Sequence, residues 1–511
     1  MKKLSVVKHV GTGLLLGGVA GGVTGAVITL YKFCAKHVIH HSEKNYAFLR
    51  HNPLWLIPVA ILLFGLAVLL SRIYRSTPNL RGGGIPTAVA ILRGWLPFRW
   101  IRNIIGIFSL SLTTFAVGVP LGNEGPSVQL GTALGKGCSK AMGKRGKGWD
   151  RYGMTAGACA GFSTATGAPL SGMLFAVEEA HHRVSPLLLV VAGAAVAVAR
   201  LVSDLLSPLL GVSSTLFPSM QLRSLTAIEC WIPLSIGVLF GMFAVFFLSF
   251  YRRVANLMNN RLAKVADRYK IYAILLLTVG VGLFSFSFIS TGHELILSLF
   301  DGETVLMLLA LLLVRTILTV GANVANITGG IFLPLLAIGT LLSALFAEGV
   351  TALGLDPSYY AVILVLGITA CIAGMMKMPL TAVAFAIEAL SAYELILPVL
   401  LVSGVSYGMT ELFDAVSVND RVLDSRLEQI NKGRTPSTAD ATLTVQAGSF
   451  AVGKEIRDIF WPNGLFVLSV DKKGALGGKT LHEGDRLHVR YRTIHEERLW
   501  KELIHIVGEQ E

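Results

Sequence analysis

Pro169-Leu-Ser-Gly-Met-Leu-Phe-Ala-Val-Glu178 and Pro379-Leu-Thr-Ala-Val-Ala-Phe-Ala-Ile-Glu388 are two copies of one decapeptide, identical at five of ten positions and 210 residues apart. A second pair precedes them at nearly the same offset. Pro126 is followed five residues later by Gly131-Thr132, and Pro334 five residues later by Gly339-Thr340. Two ordered blocks at one offset mark a chain built from two repeated halves. Both blocks lie in apolar sequence interrupted by Gly and Pro. Leu121–Leu134 contains Gly122, Gly125, Pro126 and Gly131; Ala156–Ala180 contains Gly157, Gly161, Gly167, Pro169 and Gly172; Gly329–Leu345 contains Gly329, Gly330, Pro334 and Gly339. A helix broken in this way leaves backbone groups unpaired, which a bilayer tolerates only where protein or a water-filled cavity satisfies them. Paired broken segments in two halves predict short helices ending at mid-membrane, with the site at the repeat interface.

Composition places the chain in a membrane. Of 511 residues 53% are hydrophobic and 15% charged, against roughly 25% charged in a soluble domain. Residues 431–511 carry 12 Lys/Arg and 11 Asp/Glu, whereas the 430 residues before them carry 32 and 20. The expected division is therefore a polytopic membrane part over 1–430 and a small soluble domain over 439–511. Long spanning candidates are Val10–Leu30 (read as an uncleaved helix), Leu54–Ile73, Ile101–Leu121, Pro186–Leu206, Trp231–Phe250, Ile271–Ser290, Val305–Val324 and Tyr359–Ala373. The net charge of +13 falls in Lys32 to Arg50, Arg72 to Arg102, Lys136 to Arg151 and Arg252 to Lys270, stretches expected to be loops that set orientation and meet lipid headgroups. No basic face on a soluble domain suggests nucleic acid. Cys34, Cys138, Cys159, Cys230 and Cys371 form no CxxC pair, so neither a disulfide framework nor a zinc site is indicated. His37, His40 and His41 are expected in a solvated polar loop rather than a metal site. No cofactor is implied, and no Walker A, HExxH or GxSxG pattern argues for an enzyme.

Glu124 stands in Leu121-Gly-Asn-Glu-Gly-Pro126, a carboxylate inside an apolar stretch and a functional candidate for that reason. Gly122, Gly125 and Pro126 let the chain turn so that backbone N–H groups at a helix start converge, a nest suited to an anion. Gly329-Gly-Ile-Phe-Leu-Pro334 in the second half makes a similar nest without a carboxylate. Two facing positive helix ends, one carrying its own Glu, form an anion site with a built-in competitor. Protonating Glu124 would vacate that site, which couples H⁺ to an anion.

These residues resemble the CLC family of anion channels and proton-coupled antiporters. The family's signatures GSGIP, GREGP and GxFxP appear as Gly82-Gly-Gly-Ile-Pro86, Gly122-Asn-Glu-Gly-Pro126 and Gly330-Ile-Phe-Leu-Pro334, and Ala168-Pro-Leu-Ser-Gly-Met-Leu-Phe-Ala-Val-Glu-Glu179 resembles its APLAGxxFxxEE segment. The resemblance covers roughly residues 10–425. It implies an all-α polytopic fold of eighteen helices, many re-entrant, in two inverted halves, and a homodimer with one pore per subunit. Position by position, Glu124 matches the gating glutamate. The amides of Ile331 and Phe332 match groups that hold the anion, with Gly83, Ile85, Asn123 and Gly125 in the other two signatures. Glu179 matches the inner glutamate that passes protons in antiporters and is usually absent from channels. A proton-coupled halide antiporter is thus the expectation. An uncoupled chloride channel is the alternative, and a membrane receptor a more distant one.

Three departures bear on the anion. Gly83 replaces the coordinating Ser, Asn123 replaces the Arg of GREGP, and counting from Ile396-Leu-Pro398 puts Asn419 near the usual coordinating Tyr. Two hydroxyl donors are missing. The fluoride-exporting subgroup also departs at the Ser and Arg positions, so chloride and fluoride stand level.

From about Ala439 the pattern turns strand-like, in Thr442-Leu-Thr-Val-Gln446 and Leu487-His-Val-Arg-Tyr491, with turns at Asn463-Gly464 and Gly484-Asp485. Short helices are expected from Gly453-Lys-Glu-Ile-Arg457 and from Arg498 to Val507, with Trp461 and Phe466 in the core. The segment resembles the TrkA-C regulatory domain of potassium-channel and transporter subunits, through Gly484-Asp-Arg-Leu-His-Val489. That implies a cytoplasmic α+β domain on a cell-membrane protein, serving an unidentified small ligand or dimer contacts.

Overall fold

The computed structural model describes residues 2–142, 148–182, 184–218, 222–431, 437–462, 464–471, 473–474, 478–493 and 496–509. Eighteen α-helices lie among them, the last in the C-terminal domain. Nine helices of the described residues are long and apolar enough to cross a membrane. The chain is a mostly helical polytopic protein with a small C-terminal sheet region.

The first helix runs over Lys2–His51, roughly 75 Å at 1.5 Å per residue. His37, His40 and His41 therefore lie on a helix, not in the expected loop, and so does the stretch from Lys32 to Arg50. No Gly or Pro follows Gly25 until Pro53, so nothing halts the helix where it turns polar. The His37 and His41 Nδ1 atoms pair with carbonyls four residues back, at 2.9 and 2.8 Å.

Two further expectations shift. The stretch from Arg72 to Arg102 holds a nine-residue helix, Gly84–Leu92, buried throughout. It is too short to register as a span, yet it sits inside the protein. The span expected over Ile271–Ser290 closes at Gly282, in the helix Asp267–Gly282.

The repeat organises the centre. Helices Pro169–Phe175 and Pro379–Ala389 each begin at Pro, whose missing N–H costs nothing at a first turn. The next amides are capped across the repeat. The Glu388 carboxylate accepts from Leu170 N at 2.8 Å and Ser171 N at 3.0 Å. The Glu178 carboxylate accepts from Leu380 N at 2.8 Å, Thr381 N at 2.7 Å and Thr381 Oγ1 at 2.6 Å. Donor and acceptor positions correspond at the 210-residue offset of the sequence repeat. Each half thus supplies the anion that its counterpart's helix start requires. Past Phe175 the first of these helices widens into a π-helical turn over Ala176–His181.

The C-terminal domain is a four-stranded antiparallel sheet in the order β1-β4-β2-β3, from β1 (Ser437–Thr444), β2 (Leu465–Val470), β3 (Lys473–Gly474) and β4 (Arg486–Thr493). The helix Glu496–Val507 covers one face, burying Leu499 and Leu503 with Leu443, Leu487 and Val489. The helix expected from Gly453 is a single 3₁₀ turn, Ile456–Asp458. Trp461 is half-buried against this core, but Phe466 is 65% exposed. Alternation along β2 aims Leu465 at the helix and Phe466 away from it. Asn463, one of the expected turn residues, lies outside the described residues, as does most of the segment between the two parts.

Removing one of the crossed caps should loosen the halves. Glu388→Gln is expected to destabilise the protein by about 1–2 kcal/mol, the usual worth of a helix cap, seen as a lower midpoint of unfolding in denaturing detergent. An unchanged midpoint would mean that the crossed caps carry no stability.

Candidate functional site

Three glycine loops meet where the halves join, each leading into a helix: Gly84–Leu92, Glu124–Ala141 and Phe332–Ala352. They are laced by backbone hydrogen bonds. Gly122 N donates to Gly330 O at 2.6 Å, and Gly330 N donates to Gly122 O at 2.7 Å. Gly82 N donates to Asn326 O at 2.9 Å. The approach is close enough to forbid side chains. A Cβ on Gly84 would stand 2.0 Å from Gly125 O, and one on Gly122 would stand 2.4 Å from Glu124 Oε2. The first N–H groups of a helix have no partners within it, so three helix starts present donors to one small region.

A cavity of 10 Å³ lies there, lined among others by Gly83, Ile85, Gly125, Ile331 and Asn419. It is about the size that a single water-sized occupant needs. The structure therefore brings together five of the residues expected to hold an anion. Asn419 is 2% exposed; its amide makes no hydrogen bond of ordinary geometry among the described residues, though it lies close enough to act on the Glu179 carboxylate. A buried amide in a cavity wall can bond an occupant. Gly83 takes an ordinary φ of −62° and it is Gly82 that is left-handed, at +62°.

Asn323 also lines this cavity, and the sequence reading missed it. Its Oδ1 accepts from the Tyr251 hydroxyl at 2.6 Å, and its Nδ2 lies 3.4 Å from where a Cβ on Gly83 would be. The available signal was an amide near the end of an apolar span, Val305–Val324.

Asn123 faces elsewhere. It lines a separate cavity of about 880 Å³ with Lys32, Lys36, His37, His293 and Arg315. Arg315 is fully buried and donates to the Ser287, Ile289 and Ser290 carbonyls at 2.6, 2.8 and 3.0 Å. Acidic lining is limited to Glu43 and Glu294, so the wider cavity is basic.

Glu124 stands in the chain between Asn123, which lines the wide cavity, and Gly125, which lines the small one. It is the first residue of its helix and has no solvent exposure; among the described residues its carboxylate makes no hydrogen bond of ordinary geometry, but the backbone N–H groups of Glu124 itself and of Leu333 lie close enough to act on it. Phe332 begins its own helix, with its ring packed 5.2 Å from Phe162 and 5.6 Å from Phe385.

Glu179 is not part of the anion cavity. It lies in the π-turn, 7% exposed, beside Glu178, whose carboxylate is committed to the cap on Leu380 and Thr381. Arg93 fixes the turn by donating to the Glu179 carbonyl at 2.8 Å and the Ala180 carbonyl at 3.0 Å. The charges that act on the Glu179 carboxylate are chiefly Asp420 and Arg93. Asp420 follows Asn419 on the helix Val418–Asn431, so one helix start touches both the cavity and the surroundings of Glu179.

The sequence model described as voltage gated chloride channel matches residues 65–411. The chain belongs to the CLC family of voltage gated chloride channels. Among family relatives, the H(+)/Cl(-) exchange transporter ClcA of Klebsiella pneumoniae subsp. pneumoniae is 28% identical over 352 residues, covering 67% of this chain and 74% of the relative. The ClcA of Vibrio parahaemolyticus is 26% identical over 412 residues, 76% of this chain and 84% of the relative. The CLC fold is shared with a crystal structure of a slow cyanobacterial Cl−/H+ antiporter, at TM-score 0.74 and 24% identity over 82% of this chain and 99% of that one. A CLC-type fluoride/proton antiporter shares it at TM-score 0.62 and 20% identity, over 79% and 96%.

Adjacent glycines of this CLC site should respond in opposite ways. Gly84→Ala drives a methyl into the Gly125 carbonyl and is expected to cost about 1–3 kcal/mol and to abolish anion binding. Gly83→Ala, with φ −62° and its nearest neighbour at 3.4 Å, should fold and bind close to wild type. Thermal unfolding and titration calorimetry with halide check both, and equal behaviour of the two variants would contradict the geometry.

Proposed function

We propose that this protein is a proton-coupled halide antiporter of the cell membrane. The observation that carries the reading is the fully buried Glu124 carboxylate at a helix start, within reach of the Leu333 backbone at the facing helix start and flanked by residues of a wide basic cavity and a small inner one. An ionised carboxylate and a halide compete for the same converging N–H groups. When Glu124 takes a proton it leaves those donors to the anion, and when the anion leaves, the ionised carboxylate can return. Gly83, Ile85, Gly125, Ile331, Phe332 and Asn419 hold the anion in this reading, and Asn123 faces its approach. Glu179 passes the proton to and from the side on which the C-terminal domain lies. An acid at that position favours exchange over a channel.

Relatives named as H(+)/Cl(-) exchangers support chloride. A second reading, fluoride, is supported by the inner cavity itself. It offers backbone at Gly83 and an amide at Asn419, where a chloride site of this family would present hydroxyls. The C-terminal domain is read as a TrkA-C-type cytoplasmic regulator, and the protein as a homodimer with one pore in each subunit.

Glu124→Gln tests the coupling, because a neutral amide cannot exchange a proton with the medium. Anion efflux from liposomes should become insensitive to pH, and an anion gradient should no longer drive protons uphill. Uphill proton movement that persists would remove Glu124 from the mechanism. Gly83→Ser tests the halide. One charge-assisted hydrogen bond is worth roughly 1.5–3 kcal/mol, and 1.4 kcal/mol is about tenfold in affinity. If fluoride is the native ion, the chloride-to-fluoride efflux ratio should rise by about tenfold. An unchanged ratio in a folded, active variant would mean that position 83 does not meet the anion.

A further inference from the structure

The C-terminal domain does not hang free of the membrane part. It packs against the end of the turn that carries Glu179. Phe460, 6% exposed, places its ring 4.5 Å from Tyr152 and 4.5 Å from His181. It belongs to a core cluster otherwise made of membrane-part residues, among them Trp149, Leu187 and Leu188. His181 is the last residue of the π-turn that carries Glu178 and Glu179, and its Nε2 pairs with Thr155 Oγ1 at 2.8 Å.

Polar contacts grip both flanks of that turn. Before it, Arg151 donates to the Trp461 carbonyl at 2.8 Å and pairs with Glu502. After it, the Ser185 hydroxyl donates to Asp458 at 2.6 Å. On the far side of Phe460, Phe450 meets the Trp149 ring edge-on at 5.4 Å, and Lys454 Nζ lies over both rings. A π-turn is a rare, locally wide helix geometry found mostly at functional sites. This one is pinned from one side by Arg93 and closed by the left-handed His182, φ 50°. At its His181 end the turn meets Thr155 and the C-terminal domain.

We propose that Phe460, supported by the Arg151–Glu502 pair, is a positioning residue for Glu179: the docked C-terminal domain holds the π-turn in the geometry that lets Glu179 exchange protons. This rests on reading Glu179 as the proton carrier. The domain then sets proton traffic while the anion cavity, whose lining does not include the π-turn, keeps its affinity. Anything that loosens the domain shifts the balance between the two fluxes.

The test measures proton and anion flux separately on the full-length protein in liposomes. Phe460→Ala should lower the proton-to-anion flux ratio at least threefold while halide affinity by calorimetry stays within twofold. Phe460→Leu, which keeps the apolar plug, should restore most of the ratio. Glu502→Gln, a milder loosening that leaves Phe460 in place, should lower the ratio in the same direction. It also serves if Phe460→Ala does not fold. Adding Phe460→Ala to Glu179→Gln should change proton flux no further. A purely structural role would reduce both fluxes together and leave their ratio unchanged, and that result in Phe460→Ala or Glu502→Gln, beside a Glu179→Gln control that loses proton flux, overturns the proposal alone. A Glu179→Gln control that keeps its proton flux overturns the proton-carrier reading, and the proposal with it.

Discussion

A helix that ends inside a membrane must find partners for its last backbone groups within the protein, because hydrocarbon offers none. Much of the centre of this molecule follows from that constraint. Gly122 and Gly330 exchange two hydrogen bonds and tie together the loops of the two halves. Glu178 and Glu388 each reach across to cap the helix start of the opposite half. What remains after these demands are met is a small space at three helix starts, where donors are left over for a guest.

The electrostatics divide by distance from that space. The wide cavity is basic through long side chains, several from the polar end of the first helix, and suits gathering anions from water. The small cavity has no cation in its lining. It offers backbone, apolar walls and the amides of Asn323 and Asn419. On the proposed reading, selection there falls to contact geometry and dehydration rather than to net charge, through residues 83 and 419.

Legibility in the sequence followed the physics of each element. The repeat was readable because a capped broken helix needs Pro at its start and a carboxylate at a set distance, and both survive as letters. The glycine loops were readable because backbone meets backbone at Gly84 and Gly125 too closely for a side chain. The helix Gly84–Leu92 was not, since nine mostly apolar residues between arginines look like a loop when length is the criterion. His37, His40 and His41 misled because polar composition was read as irregular backbone, although no breaker stood there. Asn323 was hidden by a single polar letter in an apolar span, with its Tyr251 partner 72 residues away. Phe466 was assigned to the core by type, whereas strand alternation turned it outward. The joint between Phe460 and His181 left no pattern at all, because long-range packing of one ring on another has no local signature.

The crossed caps also bear on how the chain is made. Leu170 and Ser171 enter the membrane long before Glu388, their acceptor, has been synthesised. At roughly 5–20 residues per second, the 210 residues between the repeats take roughly 10–40 s to emerge from the ribosome. For that interval the first half holds an open helix start that lipid cannot satisfy. The first half lacks that cap until the second supplies it, and its last increment of stability arrives with Glu388.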